Sequence, residues 1–425
     1  MTTATYYHAF TSEHEQRQQL TGEIDTDICI IGGGLTGVSA ALHLAERGYD
    51  TVLLEAGRIG DGASGRNGGQ ICLGYSSGME AFERAAGMEA AQRFWAMANE
   101  AIEDIQTRIA RHAIKADYRR GYIHAALNRR QERGLEEMAE SWSKTYGFTD
   151  LKMLNRAETE AATGSQLYTA SLLEHGSGHM NPLGYLYGLA QAAQDAGAKI
   201  FEESRAISIR KGTAVTIETA TGRVKARMLV LAGNAYLDEL VPEIRYRVAP
   251  VLSAVAATAP LSADQVSRIL PGEEAVADSN TALNYFRRTV DNRLLFGGLA
   301  SYSGRPITNA ADALRRRMAK VYPELSDVAI DYAWSGKIAI TTSRMPDFGR
   351  IGSNIYYAQG FSGHGLALTG FAGKIIAEAV AGDAERLDMF ARLPNLRFPG
   401  GPARTAVLAL GMAWFKMRDL LGLSK

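Results

Sequence analysis

The chain has 425 residues, 46% hydrophobic and 22% charged, a globular balance that excludes a disordered chain. Lys+Arg and Asp+Glu each number 46, and a formal charge of zero excludes nucleic acid as the main partner, because neutralising phosphates needs surplus cations. The two cysteines, Cys29 and Cys72, stand in no metal-ligand spacing, which excludes a disulfide scaffold and a zinc ribbon and fits a reducing cytoplasm.

Residues 1–23 read as a polar lead-in without the apolar stretch of a secretory signal. Asp27–Ile31 is a short apolar strand. Leu35–Arg47 follows with helical spacing, Val38, Leu42 and Ala45 on one face and Gly48 as its stop. Thr51–Glu55 is a second strand, which the connecting helix makes parallel to the first. Residues 80–110 read as helical, Tyr122–Leu127 as a strand and Gln131–Tyr146 as an amphipathic helix. Pro182–Asp195 is a helix stopped by Gly197. Lys199–Phe201, Ala206–Arg210, Ala214–Thr219, Val224–Ala232 and Val248–Thr258 are strands. Leu283–Arg287 and Arg293–Gly297 flank a hairpin turn at Val290-Asp291-Asn292. Ala310–Tyr322 is a helix, Asn354–Gln359 a strand and Gly365–Ala381 a helix. Ala406–Leu423 is an amphipathic helix expected to dock on the protein, with a membrane surface as the other use of its apolar face.

Gly32, Gly34 and Gly37 form G-x-G-x-x-G between the first strand and its helix, and Glu55 ends the next strand, 23 residues after Gly32. Each part has a reason. Gly32 permits a tight turn, Gly34 lets backbone approach a pyrophosphate, and Gly37 lets helix and sheet close up. The helix N-terminus offers free N–H groups to phosphate. Glu55 accepts from ribose hydroxyls and repels a 2′-phosphate. Beyond Arg58, residues 60–70 (GDGASGRNGGQ) hold five glycines, more than a connection needs. They read as backbone laid against a flat ligand, or as a flexible surface loop. A second glycine cluster, Gly360, Gly363 and Gly365 around His364, opens the helix at Gly365, whose N–H groups suit the negative charge of a reduced flavin.

With these strings, and with AGNAYL (Ala232–Leu237), DNRLLFGG (Asp291–Gly298) and SRMPDFGR (Ser343–Arg350), the chain resembles the D-amino-acid oxidase/glycine oxidase/sarcosine oxidase group of FAD enzymes from about Tyr6 onward, most of all the bacterial branch that oxidises gamma-glutamylputrescine. The resemblance implies an α/β fold: a discontinuous, glutathione-reductase-type Rossmann-like FAD domain (24–85, 155–238 and 330–390), an inserted α+β substrate domain on a mixed sheet (86–154 and 239–329), and a helical tail (391–425). It implies FAD held by Gly32, Gly34, Gly37, Glu55 and Arg58 at the ADP half, and with no flavin link assignable to Cys72 non-covalent binding is expected. Ala206 would lie at the adenine, and Ala232 and Gly233 at the pyrophosphate. Ser64, Arg66, Asn67, Gly68, Gly69 and Gln70 would line the isoalloxazine, and Gly360, Gly363, His364 and Gly365 its pyrimidine edge. The implied reaction is hydride transfer from an amine carbon to flavin N5, giving imine then aldehyde and ammonia, with molecular oxygen reduced to hydrogen peroxide.

Amino-acid-oxidising members carry Gly-Leu-Arg-Pro where this chain has Gly336-Lys337-Ile338-Ala339. Without that arginine, an amine lacking an adjacent carboxylate is expected, gamma-glutamylputrescine above all. N-substituted glycines (iminodiacetate, sarcosine) held by another cation and a quinone-linked dehydrogenase are the alternatives. So, in a different class, is a non-catalytic flavin-binding protein. His364, Tyr285, Lys337 and Arg344 are the candidate catalytic residues. Arg287 and Arg305 join Arg344 as candidates for a distal carboxylate. Phe286 and Trp334 read as pocket wall or sheet core.

Overall fold

The computed structural model describes residues 5–11, 16–280, 283–304 and 307–420. Arg305 and the last residues of the expected C-terminal helix lie outside them.

The described residues build two sheets. The first has eight strands with a parallel centre: Lys199–Phe201, Thr51–Leu54, Gly22–Ile31, Gly222–Leu231 and Ile355–Gln359 lie side by side, and Asp347–Ile351 adds an antiparallel edge. The inner strands are apolar on both faces because both faces are covered. Ile28, Ile30, Leu53 and Val230 pack on the helices Leu35–Ala45 and Gly365–Val380. Cys29, Val52 and Leu231 pack on Val215, Ile217 and Val241. The two helices cross closely, since a Cβ on Gly373 would sit 2.5 Å from the Ala40 nitrogen, and Ser39 Oγ donates to the Gly370 carbonyl at 2.7 Å. Segments more than 300 residues apart in sequence thus form one nucleotide-binding layer.

The second sheet has nine strands, ordered Ile330–Thr341, Val248–Thr258, Leu294–Ser301, Tyr285–Arg288, Ala275–Asp278, Arg119–Ala126, Ala170–His179 and Gln70–Ile71, with Leu151–Leu154 also on Ala170–His179. Side chains alternate between its faces. Ile123, Ala125, Ala254, Ala256, Val276, Phe286 and Phe296 point one way and pack on Leu314 and Met318 of the helix Ala310–Val321. Their neighbours Tyr122, His124, Ser253, Val255, Ala277 and Tyr285 line a cavity.

Sheet membership redraws the expected segments. Gln70–Ile71, Ala170–His179 and Ile330–Thr341 fall in stretches assigned to the nucleotide domain, yet they pair in the second sheet. Pairing rather than position along the chain sets the layer, so the second sheet also draws on stretches counted with the nucleotide domain. The expected helix over 80–110 is two, Met79–Ala86 and Met88–Arg111, parted at Gly87 with φ +83°. The expected helix over 131–146 runs Arg129–Glu140 and ends in a wider turn, Ser141–Thr145. No single helix among the described residues is long and apolar enough to cross a membrane.

Candidate active site

A cavity of about 1210 Å³ runs between the two sheets. At one end lies the first glycine cluster. Gly32 turns at φ +113°, and a Cβ there would sit 2.8 Å from the Ala232 carbonyl carbon. A Cβ on Gly37 would overlap the Gly32 carbonyl, and one on Gly34 would sit 2.9 Å from Ser64 Oγ. Strand end, turn and helix therefore close up only with glycine, leaving the helix N-terminus open to the cavity. Glu55 stands beside this turn. Its carboxylate accepts from Gly33 N–H at 2.6 Å and Gly57 N–H at 2.9 Å, and burial raises its pKa. A carboxylate has about four lone-pair directions, so two remain for ribose hydroxyls.

The GDGASGRNGGQ segment is pinned rather than flexible. Trp334 Nε1 donates to the Arg66 carbonyl at 3.0 Å, and Arg66 Nε donates to the Ser335 carbonyl at 2.7 Å. Tyr7 Oη donates to the Asn67 carbonyl at 2.9 Å, and Arg287 Nε to the Gly68 carbonyl at 2.8 Å. The Asn67 side chain ties Ala63, Ser64 and Gly69, and Gln70 Nε2 reaches the Val276 and Phe286 carbonyls. Arg287 is thus a brace for this loop, and the expected substrate-carboxylate role is corrected: its fork is spent on backbone carbonyls inside the protein. Trp334 is buried and serves the same loop.

At the other wall, the loop Gly360–His364 delivers the N-terminus of Gly365–Val380 to the cavity. Burial, then His124 and Arg344, push the His364 imidazole down to about 4, so it is neutral at pH 7. Tyr285 lines the cavity while Phe286 turns to the core. Ile338 and Gly336 line it from the edge strand. Arg344 lines it in the left-handed region, φ +60°, and its guanidinium makes no hydrogen bond or ion pair among the described residues.

The cavity brings together Gly32, Gly34, Glu55, Ser64, Arg66, Asn67, Gly68, Gln70, Ala206, Ala232, Gly233, Gly363, His364, Gly365, Tyr285 and Arg344. Gly37, Arg58, Gly69, Gly360 and Lys337 do not line it. Gly37 and Gly360 shape the turns behind it. Strand alternation turns Lys337 away from Gly336 and Ile338, and its ammonium lies 4.8 Å from the centre of the Tyr236 ring. Sequence reasoning passed over Tyr122, His124, Ser253, Asp278 and Arg317, all on the cavity wall. For the four on strands the only signal was two-residue alternation, which tells nothing until the covered face is known, and Arg317, on the helix Ala310–Val321, reads in sequence as part of a solvated Arg315–Arg317 face.

The family model for FAD dependent oxidoreductases matches residues 27–379. The chain belongs to the FAD-dependent oxidoreductase family. The glycine cradle, Glu55 and the open helix N-terminus fit the ADP half of FAD, and the pinned loop and the Gly365 helix N-terminus fit its flavin. This family member is 42% identical over 422 residues to gamma-glutamylputrescine oxidoreductase of Escherichia coli, covering 99% of each chain. It is 37% identical to a probable oxidoreductase, OrdL, of Haemophilus influenzae, covering 98% of this chain and 97% of that one. Its fold is that of glycine oxidase from Geobacillus kaustophilus, with a TM-score of 0.71 at 20% identity, covering 84% of this chain and 95% of that one. Iminodiacetate oxidase from Chelativorans sp. BNC1 superposes with a TM-score of 0.68 at 18% identity, covering 85% and 98%.

Proposed function

We propose that the protein is an amine oxidase of the cytoplasm that acts on gamma-glutamylputrescine, converting its terminal CH–NH2 through an imine to an aldehyde and ammonia, with oxygen reduced to hydrogen peroxide. The observation that carries this reading is the apolar wall at Ile338. The position faces the cavity and holds no charge for a carboxylate next to the reacting carbon. The full-length likeness to an enzyme named for this substrate supports it.

Bound FAD supplies the two-electron acceptor. The chain supplies position, charge and dryness. Ile338, Val251, Val255 and Tyr285 surround the reacting methylene with apolar surface, and Ser253 offers a hydroxyl beside Tyr285 at 3.4 Å. Arg344, on the cavity wall and without a hydrogen-bond or ion-pair partner for its guanidinium among the described residues, is the cation for the distal glutamyl carboxylate. FAD is held without a covalent link: burial pushes the Cys72 thiol up to about 12, so on the order of one in 10⁵ is thiolate at pH 7. Acid precipitation is then expected to leave all flavin in the supernatant.

The test is an anaerobic titration of the yellow protein with gamma-glutamylputrescine, putrescine, iminodiacetate, sarcosine and glycine. Flavin bleaching by gamma-glutamylputrescine well ahead of the others is the expected result. Preferential bleaching by an N-substituted glycine would reassign the substrate to that class.

A further inference from the structure

His124 and Glu174 present two buried polar atoms without hydrogen-bond partners, and those atoms face each other. His124 Nε2 lies 3.8 Å from Glu174 Oε1. Glu174 is fully buried, and its other oxygen accepts from Ser177 N–H at 2.9 Å. A buried carboxylate of this kind needs a cation or a strong donor close by. Sheet register places the pair on the wall described above. His124 is opposite Ala277, and Ala277 is opposite Tyr285, so His124 and Tyr285 flank one residue on the cavity face, two strands or about 10 Å apart. His124 itself lines the cavity.

The titratable and charged groups around His124 are Glu174 from Ala170–His179, Tyr122 on its own strand, Cys72, His364 and Arg344. Tyr122 and Cys72 are buried with raised pKa values and remain neutral at working pH. His364 is neutral there as well. Among the described residues Glu174 is the carboxylate facing the imidazole, and Arg344 lines the same cavity.

Resting on the amine reading above, we propose that His124 takes the proton of the bound substrate ammonium at Nδ1, and that Glu174 orients the ring through Nε2–H and holds the resulting imidazolium. Facing a carboxylate, Nε2 keeps its hydrogen, which leaves the lone pair of Nδ1 for the cavity. In the step, one N–H bond of R–CH2–NH3⁺ breaks, its electron pair stays on the amine nitrogen, and an Nδ1–H bond forms. The neutral amine then has the lone pair that oxidation of the adjacent carbon requires. An alkylammonium titrates near pH 10, so only about one amine in 10³ is neutral at pH 7 without such an acceptor. His124 is a catalytic residue in this scheme, and Glu174 a positioning residue.

The test uses the FAD-loaded enzyme and the amine that bleaches its flavin. The anaerobic flavin reduction rate is followed from pH 6 to pH 10.5 for wild type, His124→Asn and Glu174→Gln. Removing His124 is expected to lower the rate about 10²–10³-fold at pH 7. The loss should shrink tenfold per pH unit and close near pH 10, where the amine loses its proton to solvent. Glu174→Gln should show a smaller loss of the same shape. Side-chain ¹⁵N NMR of the wild type should find His124 as the Nε2–H tautomer, its signal identified by its disappearance in His124→Asn. A loss constant across pH, or an Nδ1–H tautomer, overturns the proposal while the amine reading stands. A wild-type flavin that no amine bleaches fails that reading and takes the proton step with it. If His124→Asn does not fold with FAD, the pH profile of Glu174→Gln and the tautomer decide.

Discussion

Arg287 joins the flavin loop to the second sheet, its Nε donating to the Gly68 carbonyl at 2.8 Å from a side chain that is 4% exposed. The same guanidinium reaches the Met180 carbonyl at 3.1 Å and Tyr7 Oη at 3.3 Å. One rigid fork thus fixes the loop, the N-terminal helix Tyr6–Phe10 and the strand end before Pro182. Lysine keeps the charge but not the fork. Arg287→Lys is expected to lower stability by about 2–4 kcal/mol, because buried carbonyls lose their donors. Flavin-fluorescence melting should show earlier release of FAD. A melting point within a degree of wild type would show that the loop holds itself.

Glu55 tests the nucleotide end. In Glu55→Gln the new NH2 group must face Gly33 N–H or Gly57 N–H, donor against donor, where the carboxylate accepted both. FAD affinity is expected to fall about 10–100-fold. The pH dependence has a definite sign. Burial raises the Glu55 pKa, and the protonated acid has less to offer ribose hydroxyls, so wild-type affinity should weaken as pH falls through that raised value. The Gln variant should lose this dependence. Titrating apoprotein with FAD between pH 5 and pH 8 measures both.

The nucleotide end was legible in the sequence because each of its residues does one local job. Gly32 must turn at positive φ, and Glu55 must end the next strand. The strand Val248–Thr258 was readable end to end from its Val/Ala run. The substrate end was not legible. The strand Ala170–His179 carries Glu174, two glycines and two histidines, and its polar look hides a central position in the second sheet. Ile330–Thr341 alternates too weakly to be seen, yet it brings Ile338 to the cavity. Arg287 was misjudged for a physical reason. A buried arginine between sheet and loop and an arginine binding a substrate carboxylate look alike until the carbonyls around it are placed.

His364 should leave a mark on stability. Its imidazole has a folded value of about 4 against about 6.5 when unfolded. Between those values the unfolded chain binds the extra proton, so stability is fully present above pH 6.5 and lost as pH falls toward 4. The loss reaches about 3 kcal/mol for this one group. Thermal melts from pH 7 to pH 4 should show a smaller fall in His364→Asn than in wild type. Equal slopes would mean that the ring is solvated and takes up its proton freely.

The wall at Ile338 can be reversed. Ile338→Arg places a cation beside the reacting carbon, where an amine substrate brings an ammonium. Like charges and a desolvated guanidinium should cut kcat/KM for gamma-glutamylputrescine at least tenfold, or about 1.4 kcal/mol. Glycine and sarcosine, whose carboxylates could pair with the new arginine, should gain relative rate. Parallel losses for all three amines would mean that the substitution only fills space.

Arg344 addresses the far end of the same substrate. It keeps a left-handed backbone, φ +60°, which costs a non-glycine residue about 1 kcal/mol or more, and its guanidinium makes no hydrogen bond or ion pair among the described residues to offset that. A carboxylate from the ligand is the natural partner. The side chain is exposed, so screening limits the gain to roughly tenfold in binding. Arg344→Gln should therefore raise KM for gamma-glutamylputrescine about tenfold at nearly constant kcat, and more at low than at high salt. Putrescine has no carboxylate and should be oxidised with unchanged KM. Equal effects on both amines would place the glutamyl carboxylate elsewhere on the wall, with Arg317 next to be tested.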